Sequence, residues 1–163
     1  MRRDSWSQAI PQVAASRSRL LAARDRSLPL PAAAVCISPW VDLEAGGATL
    51  VSNADTDYIT SDELIEMARN YLAGADARTP LAAPLHADLS RLPPLLVQVG
   101  AAEALLDDSQ RIAERARAAG VDVTLEVWEG MPHVWHAFAL FLPDGQRAIE
   151  RIAAFVTERT GTV

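Results

Sequence analysis

The sequence predicts an α/β fold, a three-stranded parallel sheet flanked by helices, and three observations carry that expectation. Two short runs, the continuous apolar Ala33 to Ile37 and the apolar-rich Leu95 to Val99, have the length and composition of buried strands. A third segment alternates Val121, Val123, Leu125 and Val127 with Asp122, Thr124 and Glu126, the period-two pattern of a half-exposed strand at a sheet edge. Helical patterns lie between and after these runs. The order strand, helix, strand, helix, strand, helix calls for parallel pairing through crossovers that lay helices on the sheet faces.

In chain order, Arg17 to Arg26 reads as a helix, which Leu28 to Pro31 breaks before the first strand. A loop runs from Ser38 to Thr60. Thr60 and Glu63 have capping-box spacing ahead of Leu64, Ile65, Met67, Ala68, Tyr71 and Leu72, so residues 61–73 are expected to form an amphipathic helix ending at Gly74. Four prolines mark Ala75 to Pro94 as an extended surface connection. Gly100 stops the second strand. A helix from Asp108 to Ala119 buries Ile112, Ala113 and Ala116 and stops at Gly120. In the last helix, Asp144 is the expected N-cap and Ala148, Ile149, Ile152, Phe155 and Val156 are the buried stripe.

Composition narrows the function. With 163 residues, half of them apolar, the chain can bury one core, which excludes disorder and fibrous architectures. No apolar run approaches the roughly 20 residues a membrane helix needs, and no apolar segment of the secretory type follows the Arg-rich start, so a cytoplasmic protein is expected. The single cysteine, Cys36, lies in an apolar strand and reads as a buried thiol. Net charge is −6, yet residues 1–27 hold six arginines against Asp4 and Asp25, a local +4 that leaves −10 for the remainder. Without aromatic interleaving or a Gly-rich loop, that basic stretch reads as a solvated helix face and not as a nucleic-acid surface.

Chemistry in an open parallel sheet collects beyond the carboxyl ends of its strands. Glu103 follows the second strand closely, and His133 follows the third, in Glu129-Gly130-Met131-Pro132-His133. A carboxylate and an imidazole on neighbouring turns can form an acid–base pair, the acid fixing the imidazole tautomer and stabilising the imidazolium. Taken singly, each also reads as an ordinary turn residue. Asp107 and Asp108 are the other candidate acids, although their spacing suits a helix start better. His133 and His136 have no third ligand nearby and His86 sits in the proline-rich connection, so neither metal nor cofactor is expected. Trp40, Trp128 and Trp135 read as packing around the His133 turn or as the lining of an acyl pocket.

Several strings together resemble one family: Leu30-Pro31-Ala32-Ala33-Ala34-Val35, Ser38-Pro39-Trp40-Val41-Asp42-Leu43, Pro84-Leu85-His86-Ala87-Asp88-Leu89, Leu92-Pro93-Pro94-Leu95 through Gly100, and Glu129 to His133. From Leu28 to about Phe155 the chain is similar to the C-terminal half of the hormone-sensitive-lipase family of α/β-hydrolases, which are carboxylesterases and lipases. The resemblance implies that His133 is the general base and that Glu103 stands where the family more usually has Asp, with a small-molecule ester as substrate. It also implies a truncated hydrolase: residues 28–163 as the C-terminal part of the domain, residues 1–27 as a divergent, partly helical segment, and residues 1 to about 19 as replaced sequence.

The chain departs from the family at the nucleophile. No Gly-x-Ser-x-Gly elbow and no His-Gly-Gly-Gly-like oxyanion loop occurs. The nearest string, Arg3-Asp4-Ser5-Trp6-Ser7, replaces both elbow glycines and follows no strand; the spacing would place the nucleophile near Ile10. A truncated sheet would leave the Ala33 to Ile37 strand with an open edge, so self-association is expected. The function expected is a serine-type ester hydrolase. The alternative is an inactive fragment that binds a partner or regulates one through the open edge.

Overall fold

The computed structural model describes residues 19–161. Residues 19–25 are helical (α1), and the regular elements that follow are β1 (Ala34–Ile37), α2 (Thr49–Ser52), α3 (Ser61–Leu72), β2 (Leu95–Gly100), α4 (Leu106–Ala118), β3 (Val123–Trp128) and α5 (Pro143–Thr160). Short 3-10 turns occupy Pro84–His86 and Trp135–Phe138. All pairing is parallel in the order β1-β2-β3, with Ala34 opposite Leu95 and Leu95 opposite Val123.

β2 lies between two partners and two layers of helix, and each of its six residues is buried. Leu95 joins Ile112 and Ala116 of α4 in the main core, whereas Gln98, on the opposite face, donates to the Ala148 carbonyl of α5. One face therefore carries α4 and the other α5. This is why the run from Leu95 to Val99 shows no polar alternation beyond Gln98. Cys36 is buried in β1 as expected. Thr60 accepts from the Glu63 amide and Glu63 reaches back to the Thr60 amide, completing the expected capping box. The helix ends at Leu72, one turn-residue ahead of Gly74, with Ala73 left-handed.

Five expectations need correction. The segment from Ala75 to Pro94 is a surface connection only in its first part, to Leu81: Leu85, Ala87 and Leu89 belong to the main core, and Ala83 packs with Leu43 and Ala68. Its path is a series of turns, with Pro84 opening the 3-10 turn Pro84–His86. Asp144 does not cap α5; Leu142 is the N-cap and Pro143 begins the helix, supplying the fixed φ that suits a first turn. The α5 stripe is only partly covered, with Ala148 and Phe155 buried but Ile149 and Val156 exposed. On α3, Ile65 and Tyr71 are exposed in the same way. Finally, the basic stretch is not all solvated, since Arg24 of α1 donates to the Ser90 carbonyl at 3.0 Å. Among the described residues no helix is long and apolar enough to cross a membrane.

Candidate active site

Because the three strands are parallel, their carboxyl ends open on the same side, and the first residues beyond them meet there. Ser38 follows β1, Glu103 follows β2 and His133 follows β3. The two side chains singled out from sequence are in contact, with His133 Nδ1 at 3.2 Å from Glu103 Oε2. Ser5, the weak nucleophile candidate, lies outside the described residues.

Glu103 is fully buried, so an unsatisfied carboxylate would be costly there. Each of its oxygens is satisfied. Oε1 accepts from Ser38 Oγ at 2.7 Å and from the Gly100 amide at 2.7 Å, and Oε2 faces the imidazole. The Gly100 contact is local, three residues back, and curls the longer glutamate side chain onto its own strand end. With a carboxylate on Nδ1, the ring holds its proton there and leaves Nε2, turned away from the acid, as the basic nitrogen. His133 keeps 19% of its side-chain exposure, against none for Glu103.

Close packing and strain hold the His133 turn. A Cβ on Gly100 would sit 1.9 Å from the Met131 carbonyl oxygen, so only glycine lets that turn fold over the end of β2. Ser38 and Val134 both have left-handed backbones, at φ 44° and 50°. For the β-branched Val134 this is a true outlier, and strain of this kind persists only where neighbouring contacts over-determine the backbone. Ser38 Oγ supplies one such contact by accepting from the Val134 amide at 3.1 Å. Trp135 is completely buried, 5.8 Å from the Trp128 ring and 4.0 Å from the His136 ring, so it packs beneath the turn.

Residues from the loop between β1 and α3, which sequence reasoning did not single out, complete the surroundings. Asn53 Nδ2 donates to the Ala101 and Glu103 carbonyls, and Tyr58 OH donates to the His133 carbonyl at 2.5 Å while its ring meets the imidazole edge-on. Burial, with the nearby Asp57 and Glu103 charges, pushes the Tyr58 phenol up to about 12, so it stays a donor. The available signal was positional: Ser38 is a polar residue placed directly after a buried strand, on the same side as Glu103 and His133.

The other candidate acids serve the scaffold. Asp108 Oδ2 accepts from the Val41 and Asp42 amides, and its Oδ1 pairs with Arg111 at 2.6 Å. Burial raises the Asp108 carboxyl despite these partners. Burial would raise Asp42 as well, but the Glu44 amide and Arg111 outweigh it and hold that carboxyl low. Asp107 accepts from the Ala48 amide. Asp42, Glu44 and His86 bring three ligand-type atoms within 4.8 Å of one another, yet Arg111 and Arg78 already bind those carboxylates, which makes the group an ion-pair cluster.

A family profile described as alpha/beta hydrolase fold matches residues 13–137, more than half of the chain. The chain belongs to the α/β-hydrolase family. Among curated relatives of this α/β-hydrolase chain, an acetyl-hydrolase of Streptomyces hygroscopicus is 50% identical over 143 residues, covering 87% of the chain and 48% of the relative. An esterase of Acinetobacter venetianus is 35% identical over 130 residues, covering 78% and 43%. The crystal structure of an esterase from the bacterial hormone-sensitive lipase family superimposes with a TM-score of 0.86 at 50% identity, covering 87% of this chain and 48% of that one. The hydrolase chain thus spans about half the length of the relatives it matches.

Proposed function

We propose that this chain carries the base and acid of a carboxylic-ester hydrolase, with His133 as general base and Glu103 as the acid that orients it. The observation that carries the reading is the 3.2 Å contact between His133 Nδ1 and a buried, fully hydrogen-bonded Glu103. In this mechanism, His133 Nε2 takes the proton of the attacking hydroxyl and later returns it to the leaving alkoxide, while Glu103 stabilises the intervening imidazolium. The relatives' names, esterase and acetyl-hydrolase, support a small-molecule ester as substrate. No elbow serine occurs in the 163 residues, and in this reading the nucleophile and oxyanion donors belong to the half of the family fold that the chain does not match. Removing a triad nucleophile costs about 10⁶-fold, so the turnover expected from the chain alone is small.

The test is release of p-nitrophenol from a short-chain ester by wild type, His133→Ala, Glu103→Ala and Ser5→Ala. A slow rate that falls to the buffer level in the first two variants and persists in the third is expected. Equal rates in all four would defeat catalysis by these residues. β1 forms an outer strand of the described sheet, which supports self-association through its free edge; light scattering showing a clean monomer at high concentration would refute this.

A further inference from the structure

We infer that Asp57 is a positioning residue, one that ties the acid-bearing and base-bearing turns to each other and so sets the distance between Glu103 and His133. The inference rests on the reading of those two residues as a catalytic pair. Asp57 touches neither side chain's reacting atoms. Its carboxylate instead accepts the main-chain N–H of each turn: Oδ2 takes the Ala104 amide at 2.8 Å, next to Glu103, and Oδ1 takes the amide of His133 itself at 3.2 Å. Oδ1 also accepts the Tyr58 amide at 2.9 Å, which fixes the rotamer.

The chain around Asp57 is pinned to the same two turns. Asn53 Nδ2 donates to the Ala101 and Glu103 carbonyls, Thr56 Oγ1 to the Ala102 carbonyl, and Tyr58 OH to the His133 carbonyl. Residues 53–58 therefore lie across the ends of β2 and β3 as a strap, and within it only Asp57 accepts from both turns. The turns are also joined by the Ala101 amide to the Trp128 carbonyl at 2.8 Å, the Ala102 amide to the Met131 carbonyl at 3.3 Å and the Ser38 bridge from Glu103 to the Val134 amide, but none of these holds the His133 amide, and the Glu103–His133 contact itself must loosen and re-form as the imidazole changes charge. A carboxylate suits the task because both of its oxygens accept. An asparagine of the same shape presents an NH₂ in place of one acceptor, so one of the two amides would face a donor and one turn would release.

The test reads the imidazole and not turnover. Ring ¹⁵N and low-field ¹H spectra of the full chain report which nitrogen of His133 carries the proton and whether it is hydrogen-bonded. Wild type is expected to show one tautomer, protonated at Nδ1, with a bonded low-field proton. In Asp57→Asn that proton resonance is lost and the ring becomes a mixture of tautomers, whereas Asp55→Asn, the same charge change at an exposed neighbour, leaves it unaltered. An unaltered His133 signature in Asp57→Asn overturns the inference while leaving the catalytic pair standing. Absence of the Nδ1 signature from wild type would instead overturn the pair. Amide exchange of the wild-type chain gives a second measurement that needs no variant. The His133 and Ala104 amides should exchange at least about 10-fold more slowly than Gly130 in the exposed part of the same turn, and equal rates would refute the clamp.

Discussion

His136 should make the fold acid-sensitive through a proton it cannot accommodate. Gln98 donates both amide hydrogens, to Glu126 and to the Ala148 carbonyl, so its oxygen faces His136 Nε2 at 2.8 Å. That assigns the ring proton to Nε2. Nδ1 is buried with no hydrogen-bond partner among the described residues, and a second proton there would be an unpaired donor carrying charge. Burial accordingly pushes the imidazole from 6.5 down to about 4. An unfolded chain binds this proton as the pH falls through about 6.5, whereas the folded chain waits until about 4, so stability present at neutral pH is lost across that window. At about 1.4 kcal/mol per factor of ten, the loss by pH ~4 is about 3 kcal/mol. Urea unfolding of wild type and His136→Gln, each near pH 7 and near pH 4, isolates the term because other titrations cancel in the difference. Wild type should lose about 3 kcal/mol more than the variant. Equal losses, or a folded-state His136 that titrates near 6.5, would refute the reasoning.

Gly100→Ala should cost about 1–3 kcal/mol in urea unfolding, because the Met131 carbonyl must retreat from a Cβ placed 1.9 Å away; a cost below about 0.5 kcal/mol would show that the turn yields freely. Ser38→Ala removes a donor from buried Glu103 and an acceptor from the Val134 amide without relieving the left-handed backbone, so a loss of about 1–3 kcal/mol by thermal unfolding is expected, and an unchanged midpoint would refute it. Arg111→Ala leaves the buried carboxylates Asp42 and Asp108 without their cation. A loss of roughly 3 kcal/mol follows, and it should shrink at acid pH, where protonation removes the uncompensated charge; a loss independent of pH would contradict this.

The strand order, the helices α3, α4 and α5, and the placement of Glu103 and His133 just beyond neighbouring strands were legible in the sequence because local periodicity and parallel topology decide them. Apolar runs report burial on both faces, and parallel strands send their following turns to one side. The surface reading of Ala75 to Pro94 failed beyond Leu81 because proline reports only the local backbone, whereas burial of Leu85, Ala87 and Leu89 depends on what lies across from them. Asp144 failed as a cap because the helix begins at Pro143, whose fixed φ suits a first turn, which puts Asp144 inside the helix.

The amino-acid order alone determined which residue types stand just beyond each strand, since that follows from spacing along one chain. Only the tertiary structure decided which of them touch. Ser38 lies 65 residues from Glu103, and Asp57 lies 47 from Ala104 and 76 from His133. Contacts across such separations leave no periodic trace in a sequence, because they are set by how turns from different strands stack in space.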